Sequence, residues 1–579
     1  MPGKRSLRET YPSLFIAFCT LTTFFLQYTF RSLDDNRLTS WKWAFSNIDP
    51  MLFALLIVTG LATAFMISGL LITKQRPALF LFVCSFALSA IFWQEPEVIV
   101  DASRYFTQAK HLELHGAGYF FREWGSSINA WTDMPLMPLM YGLTFKLFGE
   151  TRLYIQALTA FMFSMTVVIT YLTGKALWDE DTGFFAGALI LGIPYIFSQV
   201  PLMLVDVPVM FFLTLSLFTF IMALEKGGAW TAGSALSISC AFFSKYSAWL
   251  MLSILPVTFL VYLLTNRRGA LGAGRGITDN GLRQIILRAV YVVLFAGMVI
   301  GAIVYLKYDV ISAQIAFLQE YQAPGLKRWG ETFTSTFLFQ THPFITLAAL
   351  YSVYEAARKK DLKFLIISWL ILLIVLLQIK RSRYVMVAFP MLALMASYGL
   401  RRIKSIEMKR YIVFCAAAAS IITAVFAFLP LLNSMELANL KHAGGFLDSI
   451  RAGRVEVYTV SNEETSVNPA VAVPLLDLFT DKDIVYHHDS SFSLPFNRTE
   501  KSPLRFTWEY KNPAYYMPDE KNMQGSNAIA IISNKGNRQM PEGVEERLKG
   551  YKEARLFDAS TGIFRYSPAV AVYLPNDQH

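Results

Sequence analysis

Long apolar stretches dominate the first three quarters of the chain. They recur from about residue 12 to residue 430, are separated by short polar segments, and then stop. A helix needs about 20 mainly apolar residues to cross the hydrocarbon core of a bilayer. The pattern therefore predicts a mainly α, polytopic membrane protein with roughly 13 spans. The predicted spans lie near 12–30, 51–73, 77–93, 153–174, 184–201, 207–224, 230–244, 248–264, 289–306, 342–356, 362–379, 384–400 and 411–430.

After residue 431 the pattern changes to that of an ordinary soluble protein. Strand-like stretches alternate with helix-like ones, which predicts a small α/β domain. This domain has no Gly-rich phosphate loop, no HExxH and no paired CxxC, so no chemistry is predicted there. Strands are predicted at 455–460, 483–488, 527–533 and 554–560, and helices near 468–479 and 541–550. The predicted domains are a three-span region (1–93), a membrane module (94–430) with a large loop (94–152), and the soluble domain (431–579).

The composition agrees with a membrane protein. The chain is 54% hydrophobic and only 16% charged, and its mean hydropathy is +0.41. A chain of this composition in water would expose far more apolar surface than one core can bury. The lipid bilayer is therefore the first predicted partner.

The net charge is unevenly spread. Residues 431–579 hold 16 Lys and Arg against 19 Asp and Glu, whereas the rest of the chain holds 36 against 23. Cytoplasmic loops of membrane proteins collect Lys and Arg, so this surplus needs no nucleic-acid partner. It also suits an anionic substrate.

One apolar run decides the predicted orientation. Residues 135–148 are too short for an ordinary span and carry Pro135 and Pro138. Treating the run as a helix on the membrane surface places the Arg-rich loop 265–288 in the cytoplasm, as the positive-inside rule requires. The N-terminus is then cytoplasmic and the soluble domain extracytoplasmic, most simply in a plasma (inner) membrane.

In this orientation a short hairpin tip at 380–383 breaks the rule. It carries Lys380, Arg381 and Arg383 on the outer side. Cations that stay outside against the rule indicate a function, such as binding an anionic group. We call residues 380–383 the cation tip.

Four more ionisable residues lie at the outer ends of predicted spans, and each has a structural alternative. Asp101 and Asp206 are candidate functional acids, or caps of the helices that they precede. Lys245 is a candidate ligand or a snorkelling lysine, and Arg152 a ligand or an interfacial anchor. His342 is interpreted as structural rather than as a metal ligand. Together, two acids and a ring of cations suit an anionic headgroup with a carboxylate nearby.

These residues and their order resemble the GT-C glycosyltransferases, in particular the branch of the protein O-mannosyltransferases and the lipid A aminoarabinose transferases. The resemblance runs from about 94 to 400. Two extra spans precede the usual first one, and Val100-Asp101-Ala102 lacks the adjacent second acid of many relatives. The segments that carry it are Asp101, Asp133-Met-Pro135, Leu147-Phe148-Gly149-Glu150-Thr-Arg152, Gly183-Phe-Phe-Ala-Gly, Pro194, Asp206-Val-Pro208, Phe243-Ser-Lys245-Tyr246, Lys380-Arg-Ser-Arg383-Tyr384 and Phe389-Pro390.

The resemblance implies an enzyme that moves a sugar from a polyprenyl-phosphate carrier to a protein or glycolipid acceptor on the outer face, with inversion. It implies that Asp101 is the catalytic carboxylate and Asp206 a second acid of the site. The cations that it assigns to the lipid phosphate are Arg152, Lys245, Lys380, Arg381 and Arg383. No cofactor is expected to be obligatory, and a divalent metal ion is left open.

Two other functions compete with the glycosyltransferase. Ionisable groups inside a membrane also mark the pathways of transporters, but the sequence shows no internal repeat and the acids lie at one face. A non-catalytic scaffold that presents the soluble domain would leave the outward cations without a role. The sequence therefore favours the glycosyltransferase, with a transporter of an anionic or lipid-linked substrate as the alternative.

The predicted orientation is testable by cysteine labelling on intact cells. Ser490→Cys should react with a membrane-impermeant thiol reagent, because the soluble domain is expected outside. Gly272→Cys should not react until the cells are opened, because it lies in the Arg-rich loop. The parent protein gives the background, and the reverse pattern would overturn the orientation.

Overall fold

A computed structural model shows how these stretches fold. It describes 7–32, 44–45, 48–69, 75–97, 100–272, 279–322, 331–435, 437–460, 467–487, 510–517, 527–534, 540–560 and 568–576. Ser490 and Arg275 of the Arg-rich loop lie outside the described residues.

Every predicted span overlaps helix in the described part of the chain. The helices of this region are α1 Leu7–Ser32, α2 Pro50–Ser68, α3 Pro77–Ala90, α4 Val100–Glu123, α5 Leu136–Phe148, α6 Arg152–Leu177, α7 Glu180–Ile190, α8 Pro194–Phe197, α9 Asp206–Lys226, α10 Ala229–Phe242, α11 Tyr246–Met251, α12 Ile254–Gly272, α13 Asp279–Leu306, α14 Tyr308–Phe317, α15 Pro343–Lys359, α16 Phe364–Leu376, α17 Ser382–Val385, α18 Phe389–Leu400, α19 Ile406–Thr423 and α20 Leu429–Asn433. Short 3-10 or π turns occupy Ile91–Gln94, Leu318–Gln322, Ser335–Phe339, Met386–Ala388 and Ala424–Phe428.

Nine helices within the described residues are long and apolar enough to cross a membrane. The other four predicted spans correspond to the shorter helices α7, α10, α15 and α16. The mainly α, multi-pass membrane architecture is thus confirmed. The nine helices are Tyr11–Arg31, Pro50–Ser68, Pro77–Gln94, Arg152–Leu177, Asp206–Lys226, Tyr246–Arg267, Gly281–Leu306, Ser382–Leu400 and Ile406–Asn433.

The predicted span 184–201 is interrupted for a local reason. Helix α7 ends at Ile190, and Pro194 starts the separate short helix α8. Proline lacks an N–H group and disfavours helical geometry in the preceding residue, and Ile193 accordingly has extended dihedral angles. The Gly192 carbonyl in the break accepts hydrogen bonds from the His342 amide and the Ser420 hydroxyl.

The large loop 94–152 contains two packed helices, α4 and α5. Helix α4 is interrupted at Gly116, where the backbone leaves helical geometry with φ +83°, and helix then resumes to Glu123. Helix α5 coincides with the short apolar run and has 13 residues. Gly142 of α5 lies so close to α4 that a Cβ atom there would stand 2.7 Å from the Ala109 carbonyl oxygen.

The C-terminal domain is an α/β domain around a five-stranded sheet. The strand order is β2-β1-β3-β5-β4, in which β1 pairs in parallel with β2 and β3, and β5 pairs antiparallel with β3 and β4. Strand β5 was not predicted. Its apolar run is buried almost throughout, which hides the alternation by which strands with one exposed face are found. The elements are α21 Ala438–Ser449, β1 Arg454–Val460, α22 Pro469–Asp477, β2 Asp483–His487, β3 Asn527–Asn534, α23 Glu542–Arg547, β4 Tyr551–Phe557 and β5 Pro568–Pro575.

The C-terminal domain docks on helix α4 through a buried cluster of charged side chains. The Lys110 ammonium lies 2.6 Å from an Asp477 carboxylate oxygen and 2.8 Å from one of Glu150. The Tyr516 hydroxyl donates to the same Asp477 oxygen over 2.6 Å. Burying these charges together ties the domain to one end of the membrane module, because an unpaired buried charge is costly.

Helices α6 and α7 cross at a glycine contact that gives a stability prediction. A Cβ atom at Gly183 would stand 2.2 Å from the Tyr171 carbonyl oxygen, whereas one at Gly233 would have nothing within 4 Å. We expect Gly183→Ala to destabilise the folded protein by about 1–3 kcal/mol, because the backbones must separate. Gly233→Ala is the control and should leave thermal unfolding in detergent unchanged or slightly raised. Equal melting of the two variants would contradict this packing.

Candidate active site

Six charged side chains from distant segments form one chain of ion pairs at the end of the membrane module that carries the C-terminal domain. Acids and cations alternate along it, so each charge has a partner of opposite sign. The order is Lys245, Asp206, Arg383, Asp101, Arg104 and Asp133.

Arg383 is the central member of this ion-pair chain. Its Nη1 donates to Asp101 over 2.7 Å, and its Nε donates to Asp206. The Arg383 side chain is 6% exposed. A guanidinium can serve two carboxylates at once because its N–H groups form a rigid fork. Two acids that are far apart in sequence are thereby fixed beside one another.

Asp101 lies in the first turn of helix α4, where the backbone amides favour a negative charge. Its carboxylate accepts from Arg383 and, over 2.9 Å, from Arg104 one turn later. Burial alone would raise the pKa of Asp101, but Arg383 and Arg104 outweigh it and hold that pKa below its ordinary value. Asp101 is therefore a carboxylate at neutral pH.

Exposure separates Asp101 from the other acids of the ion-pair chain. Its side chain is 26% exposed, whereas those of Asp206 and Asp133 are 1% and 3% exposed. Asp206, at the start of helix α9, accepts from Arg383 and, over 2.6 Å, from Lys245. The structure thus brings both predicted acids together and leaves only Asp101 open.

Arg104 extends the ion-pair chain to the loop between α4 and α5. Its Nη2 donates to Asp101 and, over 3.1 Å, to Asp133. The second Asp133 oxygen accepts from the Gln108 amide over 3.1 Å. Burial and the Asp101 carboxylate raise the pKa of Asp133 despite the Arg104 guanidinium. Arg104 thus links Asp101 to a second acid, Asp133, although no acid is adjacent to Asp101 in the sequence.

A cavity of about 830 Å³ opens beside Asp101. Five cations but only three acids line it, so its lining favours an anion. One wall is apolar and includes Met251, Leu318 and Leu377. The cationic lining residues are Arg104, Lys245, Lys380, Arg381 and Arg383, and the acidic ones are Asp101, Asp133 and Glu331.

The cation tip meets Lys245 at this cavity. The Arg381 guanidinium lies 5.0 Å from the ring centre of Tyr384 and donates to its hydroxyl over 3.1 Å. The Lys245 ammonium lies 4.7 Å from the centre of the same ring. Lys380 is exposed at the rim. Four of the five cations predicted to bind phosphate therefore line one cavity.

Arg152 lies apart from the cavity. Its Nε donates to Glu97 over 3.0 Å, and its guanidinium lies 5.0 Å from the ring centre of Phe479. The same Glu97 oxygen accepts from the Met203 amide over 2.9 Å. Glu97, paired with Arg152, therefore joins the segments that precede Asp101 and Asp206. Arg152 does not line the cavity.

Sequence reasoning missed three residues of the site: Arg104, Asp133 and Glu331. Arg104 had a usable signal, since it lies three residues after Asp101 on one helix, and Asp133 stands in a segment that carries the family resemblance. His342 is buried, and its Nδ1 accepts from the Phe344 amide, in keeping with a structural role. Within the described residues, no three His, Cys, Asp or Glu side chains are placed to hold a metal ion.

Part of the chain matches a known protein family. The profile of the family described as dolichyl-phosphate-mannose-protein mannosyltransferase matches residues 133–276. This segment holds three members of the ion-pair chain: Asp133, Asp206 and Lys245. No curated protein matches the sequence.

Solved structures match over most of the chain. ArnT from Cupriavidus metallidurans bound to undecaprenyl phosphate is 11% identical, with 86% of this chain and 98% of that chain covered and a TM-score of 0.53. The same protein in the apo state is 11% identical, with 85% and 97% covered and a TM-score of 0.55. The archaeal oligosaccharyltransferase AglB from Archaeoglobus fulgidus is 13% identical, with 80% and 70% covered and a TM-score of 0.46.

The chain therefore has the GT-C fold that it shares with ArnT. At this identity the likeness shows the fold and not the activity. The predicted resemblance to the GT-C superfamily is confirmed at the level of the fold and by the family segment at 133–276.

Proposed function

We propose that this chain is a membrane glycosyltransferase that moves a sugar from a polyprenyl-phosphate donor to an acceptor hydroxyl. The observation that carries the proposal is Asp101, the one open carboxylate of the ion-pair chain among the described residues, at the edge of a cavity with surplus cations. The family segment and the GT-C fold support it. ArnT was solved with undecaprenyl phosphate, a polyprenyl phosphate like the carrier that the proposed reaction releases.

The cavity suits both parts of such a donor. Lys245, Arg381 and Arg383 offer cations to the phosphate, and the apolar wall near Met251 and Leu377 offers a surface to the lipid chain. The donor phosphodiester carries one negative charge, and the departing phosphate monoester carries nearly two. Contacts from these cations are therefore stronger in the transition state than in the ground state, which is the condition for accelerating the reaction.

The proposed reaction is one displacement at the anomeric carbon. The acceptor oxygen forms a bond to that carbon while the bond from carbon to phosphate oxygen breaks, and the configuration inverts. Asp101 takes the proton of the acceptor hydroxyl, and polyprenyl phosphate leaves with the bonding electrons. A phosphate bound by Arg383 would draw this guanidinium from Asp101, which would make the carboxylate more basic as the donor arrives.

Asp206 has a supporting role in this scheme. It is 1% exposed beneath Arg383 and Lys245, so no acceptor reaches it. Its charge holds the two cations in place before the donor binds. We propose the acceptor to be a protein or a glycolipid on the outer face, with the C-terminal domain on the same side. A divalent metal ion is not required by this scheme.

The role of Asp101 is tested by Asp101→Asn. Asparagine keeps the size of the side chain and an oxygen that can accept a hydrogen bond from Arg383 or Arg104, but it cannot accept the proton. We expect a folded protein that binds the lipid donor and transfers sugar at least about 100-fold more slowly. Purified protein is incubated with radiolabelled polyprenyl-phosphate sugars, and the loss of label from the lipid is measured beside donor binding.

Asp179→Asn is the matched control for Asp101→Asn. Asp179 caps helix α7 through the Thr182 amide, and Asn caps about as well as Asp, so transfer should be normal. Normal turnover in Asp101→Asn would remove Asp101 as the base and overturn the proposed mechanism, because Asp206 is enclosed. A transporter would leave the label on the lipid in every variant, the parent included.

The cations are tested by Arg383→Ala against Arg402→Ala. Arg383 faces the cavity, whereas Arg402 is exposed beyond the other end of helix α18. Loss of a charged contact to phosphate costs about 1.5–3 kcal/mol, so kcat/KM should fall roughly 10- to 150-fold for Arg383→Ala only. Arg383→Lys keeps a cation beside Asp101 and Asp206 and guards against misfolding. Equal activity of Arg383→Ala and Arg402→Ala would remove the cation tip from the site.

A further inference from the structure

A buried loop joins the cation tip to the N-terminal part of the chain. This bridging loop, residues 331–341, follows a part of the chain outside the described residues and precedes helix α15. On one side it contacts the cation tip, and on the other side helix α1. Nothing in the proposed chemistry uses it.

Two side chains of the bridging loop hold the backbone of the cation tip. The Glu331 carboxylate accepts a hydrogen bond from the Ser382 amide. The Thr336 hydroxyl forms a hydrogen bond with the Ser382 hydroxyl over 3.0 Å and lies 3.3 Å from the Lys380 carbonyl oxygen. Ser382 stands between Arg381 and Arg383, so these contacts fix the segment from which both cations extend.

The other side of the bridging loop rests on helix α1. Arg31 donates to the Ser335 hydroxyl over 3.2 Å, and its guanidinium lies 5.0 Å from the ring centre of Phe339. Gln27 donates to the Leu338 carbonyl over 3.3 Å. Helix α1 lies before the segment 94–400 that carries the family resemblance. An early helix thus reaches the cation tip through the loop.

The residues that make these contacts are buried. Glu331 is 4% exposed, Arg31 1%, and both Thr336 and Ser382 are fully buried. An ionised side chain at such depth is costly unless its contacts compensate, and a carboxylate bound to a backbone N–H is among the stronger directional contacts. Such contacts fix a backbone position to a fraction of an ångström, which phosphate binding by several cations requires.

We propose that Glu331 and Thr336 are positioning residues that set the cation tip for the lipid phosphate, and that Arg31 of helix α1 holds the loop in register. This inference rests on the proposed function for the identity of the anion. Helix α1 thereby gains a role in donor binding although it does not line the cavity.

The first test compares three variants of the bridging loop. Glu331→Ala and Thr336→Val should each weaken polyprenyl phosphate binding on the order of tenfold, with a matching rise in the KM for the donor and little change in kcat. Glu331→Gln keeps an oxygen that accepts from the Ser382 amide and should largely restore binding. Thr334→Val is the control, since Thr334 is exposed and its side chain caps nothing, and it should bind as the parent does.

Helix α1 is tested through Arg31→Met, combined with Thr336→Val. The single variant should raise the donor KM in the same direction, although Arg31 lies outside the cavity. The effects of the two changes should combine to less than their product, because both act through one loop. Two independent, fully multiplicative effects would overturn the part of the proposal that involves α1.

The remaining outcomes are decisive in different ways. A Glu331→Gln variant whose kcat falls as far as that of Asp101→Asn would make Glu331 a catalytic acid and overturn the positioning role. Unchanged binding in Glu331→Ala and Thr336→Val, with only a lower melting temperature, would overturn it in favour of a purely structural loop. Direct binding of polyprenyl phosphate needs no transfer, so a parent that binds but transfers no sugar refutes the proposed function and still tests the positioning.

Discussion

The site depends on one guanidinium, that of Arg383, which bridges Asp101 and Asp206. The three residues come from segments 177 and 282 positions apart along the chain, and they meet where burial makes every unpaired charge costly. Because the two acids share one cation, neither helix start moves without breaking an ion pair. The other contacts of the site follow from this bridge, with Lys245 beyond Asp206 and Arg104 beyond Asp101.

The alternation of charges also explains which group is free to react. Asp206 and Asp133 are enclosed by their partners, whereas Asp101 keeps a quarter of its side chain open to the cavity. An anion that enters the cavity competes with Asp101 for Arg383. Binding of the anion and activation of the proposed base would therefore depend on the same contact. Such coupling favours the transition state, in which the leaving phosphate carries the larger charge.

Parts of the chain far from the chemistry hold the charged groups in place. The C-terminal domain fixes helix α4 through Lys110. Glu97, paired with Arg152, fixes the chain segments that precede Asp101 and Asp206. The bridging loop does the same for the cation tip from the side of helix α1. A site with many buried charges needs such support, because a misplaced charge would lose its partner and keep its desolvation cost.

The sequence by itself determined the membrane helices, the α/β class of the C-terminal domain, and the acids and cations that collect at one end. Those features are local, because the length of an apolar run, the alternation of a strand and the position of a charge can each be read from consecutive residues. Only the tertiary structure decided that Asp101 is open and Asp206 enclosed, that Asp133 and Glu331 belong to the cavity, and that Arg152 does not. Ion pairs between distant segments depend on how helices pack, and no local pattern records which charge meets which. Strand β5 was missed for a related reason, because burial on both faces erases the alternation that marks a strand.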